Sequence, residues 1–140
     1  MATTTAKKPQ QAKLPQLSQQ GMFDFHYFSW FYIQQNYARF QSDLQQLASK
    51  IGELEQEAEE HTLVLATLDE ALAEEPDRKC FRLVGGVLVE RTVKEVVPAL
   101  QTNRNGIQQV ISTLAEQYKT KEGDFESFKR DYHIRPAPAA

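Results

Sequence analysis

Metal binding and catalysis draw on histidine, cysteine, carboxylate and glycine-rich phosphate loops. His26, His61 and His133 are scattered, with no second histidine three or four residues away, so the spacing that puts two ligands on one helical face is missing. His61 reads instead as a polar residue tolerated at a register position of a helix. Cys80 has basic neighbours in Arg78, Lys79 and Arg82 but no histidine close in sequence to take its proton, and it reads as a structural thiol. Gly85-Gly86 lacks the surroundings of a phosphate loop and leads into a strand-like run, which makes it a turn. Glu53, Glu55, Glu57, Glu59 and Glu60 read as a solvated helix surface, with a charge-matched contact to a basic partner as the functional alternative. These residues imply a non-catalytic interaction module, with no enzyme activity, no metal and no cofactor.

The elements that hold these residues follow from one pattern. Stepping alternately by four and three from Ile33 gives Tyr37, Phe40, Leu44, Leu47, Ile51, Leu54, Ala58, His61, Leu65, Leu68 and Leu72, with His61 as the sole polar member. Pro76, in Glu74-Glu75-Pro76-Asp77, stops this helix near residue 75, because proline lacks an amide hydrogen and its ring clashes with the preceding turn. The alternation restarts at Val93 and runs through Val97, Leu100, Arg104, Ile107, Ile111, Leu114, Tyr118, Lys121, Phe125, Phe128 and Tyr132, with Arg104 and Lys121 as exceptions. Thr92-Val93-Lys94-Glu95 is a capping box that opens this second helix. Pro98 removes one bond of its ladder and is a candidate kink. Gly52, Gly106 and Gly123 fall off both stripes and weaken the helices without interrupting them.

Each stripe covers 40 residues, about 60 Å of helix at 1.5 Å per residue. A sustained heptad makes a left-handed coiled coil, and two equal stripes with a short connection predict helices that fold back on one another. Ile33 and Tyr132 then meet at the tip far from the bend. The fold class is mainly α: an antiparallel coiled-coil helical hairpin with one β-hairpin at the bend. Helix 1 is expected over 33–75, the β-hairpin over 77–91 and helix 2 over 92–134. The Pro-bearing, polar stretch 1–20 and the run 135–140 are expected as disordered tails.

In the connection, Lys79 to Val84 and Val87 to Arg91 are β-branched and aromatic runs split by Gly85-Gly86, a strong two-residue hairpin signal. Pairing Val84 with Val87 puts Phe81, Leu83 and Leu88 on one face and Cys80, Arg82, Val84, Val87, Val89 and Arg91 on the other. Both faces are substantially apolar. A lone two-stranded hairpin is marginal in water, so this one requires strands from other chains. Leu63, Val64, Val96 and Val110 widen the helical stripes near the bend and point to a further contact there.

Other function classes fall away on composition. A net charge of −3 and a pI near 5.6 give no basic footprint for nucleic acid. The apolar run Met22 to Ile33 is broken by Asp24, His26 and Ser29 and is short of the roughly 20 residues needed to span a bilayer. The single cysteine and the absence of a leader-like start fit a reducing, cytoplasmic setting.

The stretch Asp77-Arg78-Lys79-Cys80-Phe81-Arg82-Leu83-Val84-Gly85-Gly86-Val87-Leu88-Val89-Glu90-Arg91-Thr92-Val93-Lys94-Glu95-Val96-Val97-Pro98-Ala99-Leu100 closely resembles the β-class prefoldin subunits. The likeness extends through Gln35-Asn36-Tyr37 and Ile51-Gly52-Glu53-Leu54-Glu55-Gln56-Glu57-Ala58-Glu59-Glu60-His61, and covers residues 33 to about 134. The resemblance implies a hexamer in which this chain joins two α-class and three further β-class subunits through a body of β-hairpins. It also implies ATP-independent binding of unfolded actin and tubulin and their transfer to the cytosolic chaperonin. Phe81, Leu83, Val84, Gly85, Gly86, Val87, Leu88 and Val89 are then the oligomerisation hairpin. Ile33, Tyr37, Phe125, Phe128 and Tyr132, at the tip where the coil frays, are the candidates for client contact, with ordinary seam packing as the competing reading of each. A coiled-coil scaffold that binds only folded partners is the alternative function.

The segment Gly21 to Tyr32 departs from the family, where a polar, glutamine-rich approach to helix 1 is the norm. Its concentration of aromatics fits an enlarged client-binding tip, a membrane-surface or aggregation-prone segment, or a translated intron or misplaced exon boundary. The last is the reading preferred.

Overall fold

The computed structural model describes residues 19–135, with side chains described from residue 24 onward. The elements run α1 (Gln19–Glu74), β1 (Lys79–Val84), β2 (Val87–Thr92) and α2 (Val93–Asp131). The expected tails lie outside the described residues, apart from 19, 20 and 135. The chain divides into two units, one ending at Asn36 and the other beginning at Tyr37, and each is described by itself.

In the unit from Tyr37 onward, α1 and α2 pack antiparallel with the β-hairpin between them. Every stripe position from Tyr37 to Leu72 and from Val93 to Phe128 is buried or half-buried. The heptad pattern therefore names the seam residue by residue. Phe40 stacks on Phe125 with ring centroids 5.3 Å apart. Stepping from that pair towards the bend, four and three along each helix, brings Leu65 level with Leu100, Leu68 with Val97 and Leu72 with Val93. These residues are the core cluster at the bend, where Leu65, Val93 and Val97 are buried among Leu68, Ala71, Leu72, Cys80 and Leu100.

The same register sets His61 level with Arg104, so the polar exceptions of the two stripes share one layer. The carbonyl of Glu57 can only accept, so the 2.8 Å contact from His61 Nδ1 places the imidazole proton on that nitrogen. Arg104 is half-buried, and its Nε is buried without a hydrogen-bond partner among the described residues. A polar layer in an apolar seam costs stability, because its groups give up water without a full set of partners. The third exception, Lys121, is held by Asp43 at 2.9 Å and lies 5.7 Å over the Phe40 ring.

The bend is closed by backbone groups. α1 ends at Glu74, before Pro76, and the carbonyls of Pro76 and Arg78 accept the amides of Lys94 (3.1 Å) and Val93 (3.0 Å). Two of the four amides left open at the start of α2 are thereby satisfied. Thr92 ends β2 and caps α2 in one residue: its backbone is extended, and its amide donates to Glu95 Oε2 at 3.4 Å to complete the capping box. α2 continues through Pro98 to Asp131 as a single element. The hairpin pairs in the expected register, Val84 with Val87 out to Lys79 with Thr92. Gly85 and Gly86 take φ of +56° and +82°, the left-handed conformation that a two-residue turn demands.

α1 begins at Gln19, well before the stripe that starts at Ile33. Residue 33 marks where the apolar seam begins; the backbone ladder needs only intrahelical partners and continues N-terminally without one. In this N-terminal unit Phe25, Tyr27, Phe28, Trp30, Phe31 and Tyr32 are all exposed, while Ile33 and Asn36 are half-buried. Asn36 Nδ2 donates to the carbonyl of Tyr32 at 2.8 Å.

Candidate functional site

Two regions carry the residues singled out by sequence. The first is the β-hairpin. Its two strands form a sheet of their own, so each strand has one outer edge whose ladder groups have no strand beside them among the described residues. Phe81 (65%), Leu83 (69%) and Leu88 (67%) are exposed on one face, bordered by the Lys79–Glu90 ion pair at 3.4 Å. On the other face Cys80 packs into the core cluster and Val89 is half-buried, while Val84 and Val87 at the turn are exposed. Burying five such side chains is worth on the order of 10 kcal/mol before the cost of association. That is comparable with the whole stability of a small domain, so this surface is a strong association signal.

The second region is the aromatic end of the coil. Tyr37 meets Phe125 edge-on at 5.1 Å, Phe40 packs on Phe125 and Phe128 at 5.3 Å each, and Phe128 packs on Tyr132 at 4.8 Å. Lys129 Nζ lies 4.6 Å over the Phe125 ring. Phe125 is buried, Tyr37 and Phe128 are half-buried, and Tyr132 is 42% exposed. Three of the five tip residues are thus knit into one cluster, with Tyr132 at its exposed margin. Ile33 sits half-buried on α1 in the N-terminal unit. Sequence reasoning placed Phe40 on the stripe but not at this site, yet its ring is in contact with both Phe125 and Phe128; its signal was its position facing them across the seam.

Among the described residues no group of histidine, cysteine, aspartate and glutamate is arranged to hold a metal ion. No helix among the described residues is long and apolar enough to cross a membrane. The off-seam residues Leu63 (65%), Val64 (49%) and Val110 (48%) stay exposed, whereas Val96 is half-buried beside the hairpin.

Paired antiparallel helices closed by an exposed, apolar β-hairpin define a coiled-coil helical hairpin with an apolar bend. Residues 32–135 match the family model described as prefoldin subunit. Prefoldin subunit 2 of Homo sapiens is 48% identical over 97 residues, covering 69% of this chain and 61% of the human protein. Probable prefoldin subunit 2 of Schizosaccharomyces pombe is 46% identical over 103 residues, covering 74% of this chain and 88% of that protein. Prefoldin subunit 2 of Saccharomyces cerevisiae is 38% identical over 103 residues, with 74% and 90% covered. The chain belongs to the prefoldin subunit family. It spans about three fifths of the length of its bovine and human relatives. The family match begins where the exposed aromatic segment ends.

Proposed function

We propose that this chain is one subunit of a heterohexameric co-chaperone, joined through its β-hairpin to two α-class and three further β-class prefoldin subunits. The observation that carries this reading is the exposed apolar hairpin, Phe81, Leu83, Val84, Val87 and Leu88, in a chain of the prefoldin family. The assembly binds unfolded proteins, actin and tubulin among them, without ATP, and passes them to the cytosolic chaperonin; its setting is cytoplasmic. Holding a non-native chain needs apolar surface that is reachable without self-association, and a helix pair that frays at its end supplies it. Ile33, Tyr37, Phe125, Phe128 and Tyr132 are the client contacts in this reading. Tyr132 offers the first contact because it is already exposed, and Phe125 and Phe128 become available as the end opens.

The test is suppression of aggregation of denatured actin by the assembled complex, compared with complexes carrying Tyr132→Ser alone or together with Phe125→Ser and Phe128→Ser. Suppression that falls with the single change and is lost with the triple change is expected. Equal suppression by all three complexes would contradict the tip assignment, and no suppression by the unaltered complex would favour a scaffold that binds folded partners.

A further inference from the structure

The two faces of the hairpin differ in charge. The face with Phe81, Leu83 and Leu88 is neutral, because its lysine and glutamate, Lys79 and Glu90, pair with each other. The opposite face does not stand free: together with the first turns of α2 it forms a groove of about 390 Å³, floored by Val84, Val89, Val96 and Ala99 and walled by Arg82 and Arg91. Glu95 lies at one end, its carboxylate turned to the amide of Thr92. Neither arginine forms an ion pair among the described residues.

Cross-strand pairing fixes how the arginines relate. Arg82 lies opposite Val89 and Arg91 opposite Cys80, so the two guanidinium groups stand on one face at diagonal positions, roughly 7–8 Å apart at the backbone. Two like charges on one face repel, and the one carboxylate that lines the groove, Glu95, is engaged by the Thr92 amide at 3.4 Å. A carboxylate between them removes the repulsion and accepts from both guanidinium groups, each of which presents a planar fork of donors. A strand added along the hairpin edge places every second side chain over the groove, so an occupant with an alternating row of apolar and acidic residues satisfies floor and walls together.

A second copy of this chain does not supply that row. Its strands, Lys79–Val84 and Val87–Thr92, hold one carboxylate, Glu90, already paired with Lys79. We infer that the Arg82–Arg91 groove is a charge-selective docking site for an acidic strand of a different subunit, and that it disfavours self-assembly of this chain. This rests on the reading of the chain as an assembly subunit and adds which face selects the neighbour and by what chemistry.

The experiment uses the full chain co-expressed with the other prefoldin subunits of its own organism, with complexes quantified by native mass spectrometry across a dilution series from 50 to 500 mM NaCl. For the unaltered chain the apparent dissociation constant is expected to rise with salt. Arg82→Gln with Arg91→Gln, both at exposed positions, is expected to weaken assembly at low salt by about tenfold and to flatten the salt dependence. Unchanged affinity and salt dependence in this variant, with its helical circular dichroism intact, would overturn the inference while leaving the assembly reading standing. An unaltered chain that never joins the others would overturn both. A photo-crosslinking residue placed at Val84, which lines the groove, reads out the neighbour: a crosslink to an acid-bearing hairpin strand of another subunit supports the inference, and one only to a second copy of this chain contradicts it.

Discussion

The seam and the hairpin are made of the same kinds of side chain and end in opposite states. Along the seam, Leu65, Val93 and Val97 lose almost all contact with solvent within a single chain. A few residues away, Leu83 and Leu88 face each other across the hairpin and remain exposed by more than two thirds of their surface. The difference lies in what each element needs as a partner. A helix stripe is complete when one other stripe of the same period covers it, and this chain carries two of equal length. A two-stranded sheet has two faces and two edges, and one helix pair at its base leaves Cys80, Val89 and Thr92 half-buried and the other strand residues exposed. Composition therefore does not tell an internal core from an interface; the count of elements available to cover each surface does.

That contrast breaks most visibly at the hairpin. Leu83→Asp with Leu88→Asp is expected to abolish assembly with other prefoldin subunits while leaving the helical circular dichroism and the melting of the isolated chain unchanged. Loss of helix in that variant would show the hairpin face to be part of the chain's own core. Leu65→Ala should do the reverse. It leaves a cavity at the bend and lowers stability by about 2–5 kcal/mol in urea unfolding monitored at 222 nm, whereas an effect under 1 kcal/mol would mean that the bend is loosely packed. A smaller change, about 1–2 kcal/mol, is expected for Gly86→Val, because φ of +82° is strained for a β-branched residue even though nothing crowds the site. Hydrogen exchange should then quicken at the strand amides and stay unaltered at mid-seam. Least of all is expected from removing residues 21–31, which lie outside the family match: thermal melting and assembly should be indistinguishable from the full chain. Weakened assembly would give the aromatic segment a role.

The helical seam was legible in the sequence because heptad periodicity survives its exceptions, and those exceptions turned out to be informative. His61 and Arg104 fall at one level of the coil, and Lys121 is answered by Asp43, an acid one step off the stripe. The turn was legible because Gly85-Gly86 between two β-branched runs leaves the backbone few alternatives. The start of α1 was not, since the apolar stripe that marks the rest of the helix begins only at Ile33. The aromatic cluster was legible only in part. The stripe named Tyr37, Phe125 and Phe128, but which rings would stack depended on the relative register of the two helices, which no single window of sequence contains. The groove between hairpin and α2 was hidden for the same reason. The expected pairing already set Arg82 and Arg91 on one face, and Val96 announced an extra apolar contact; only the packing of the hairpin against α2 brought them into one groove.

The most direct measurement is capture of this chain, tagged and intact, from a eukaryotic lysate followed by native mass spectrometry of what accompanies it. Five different coiled-coil subunits, one copy each, is the predicted result, because the seam needs nothing further while the hairpin has no third strand beside it among the described residues. A stable monomer or a homodimer would contradict the account, since the exposed hairpin would then be covered by the chain itself or need no cover at all.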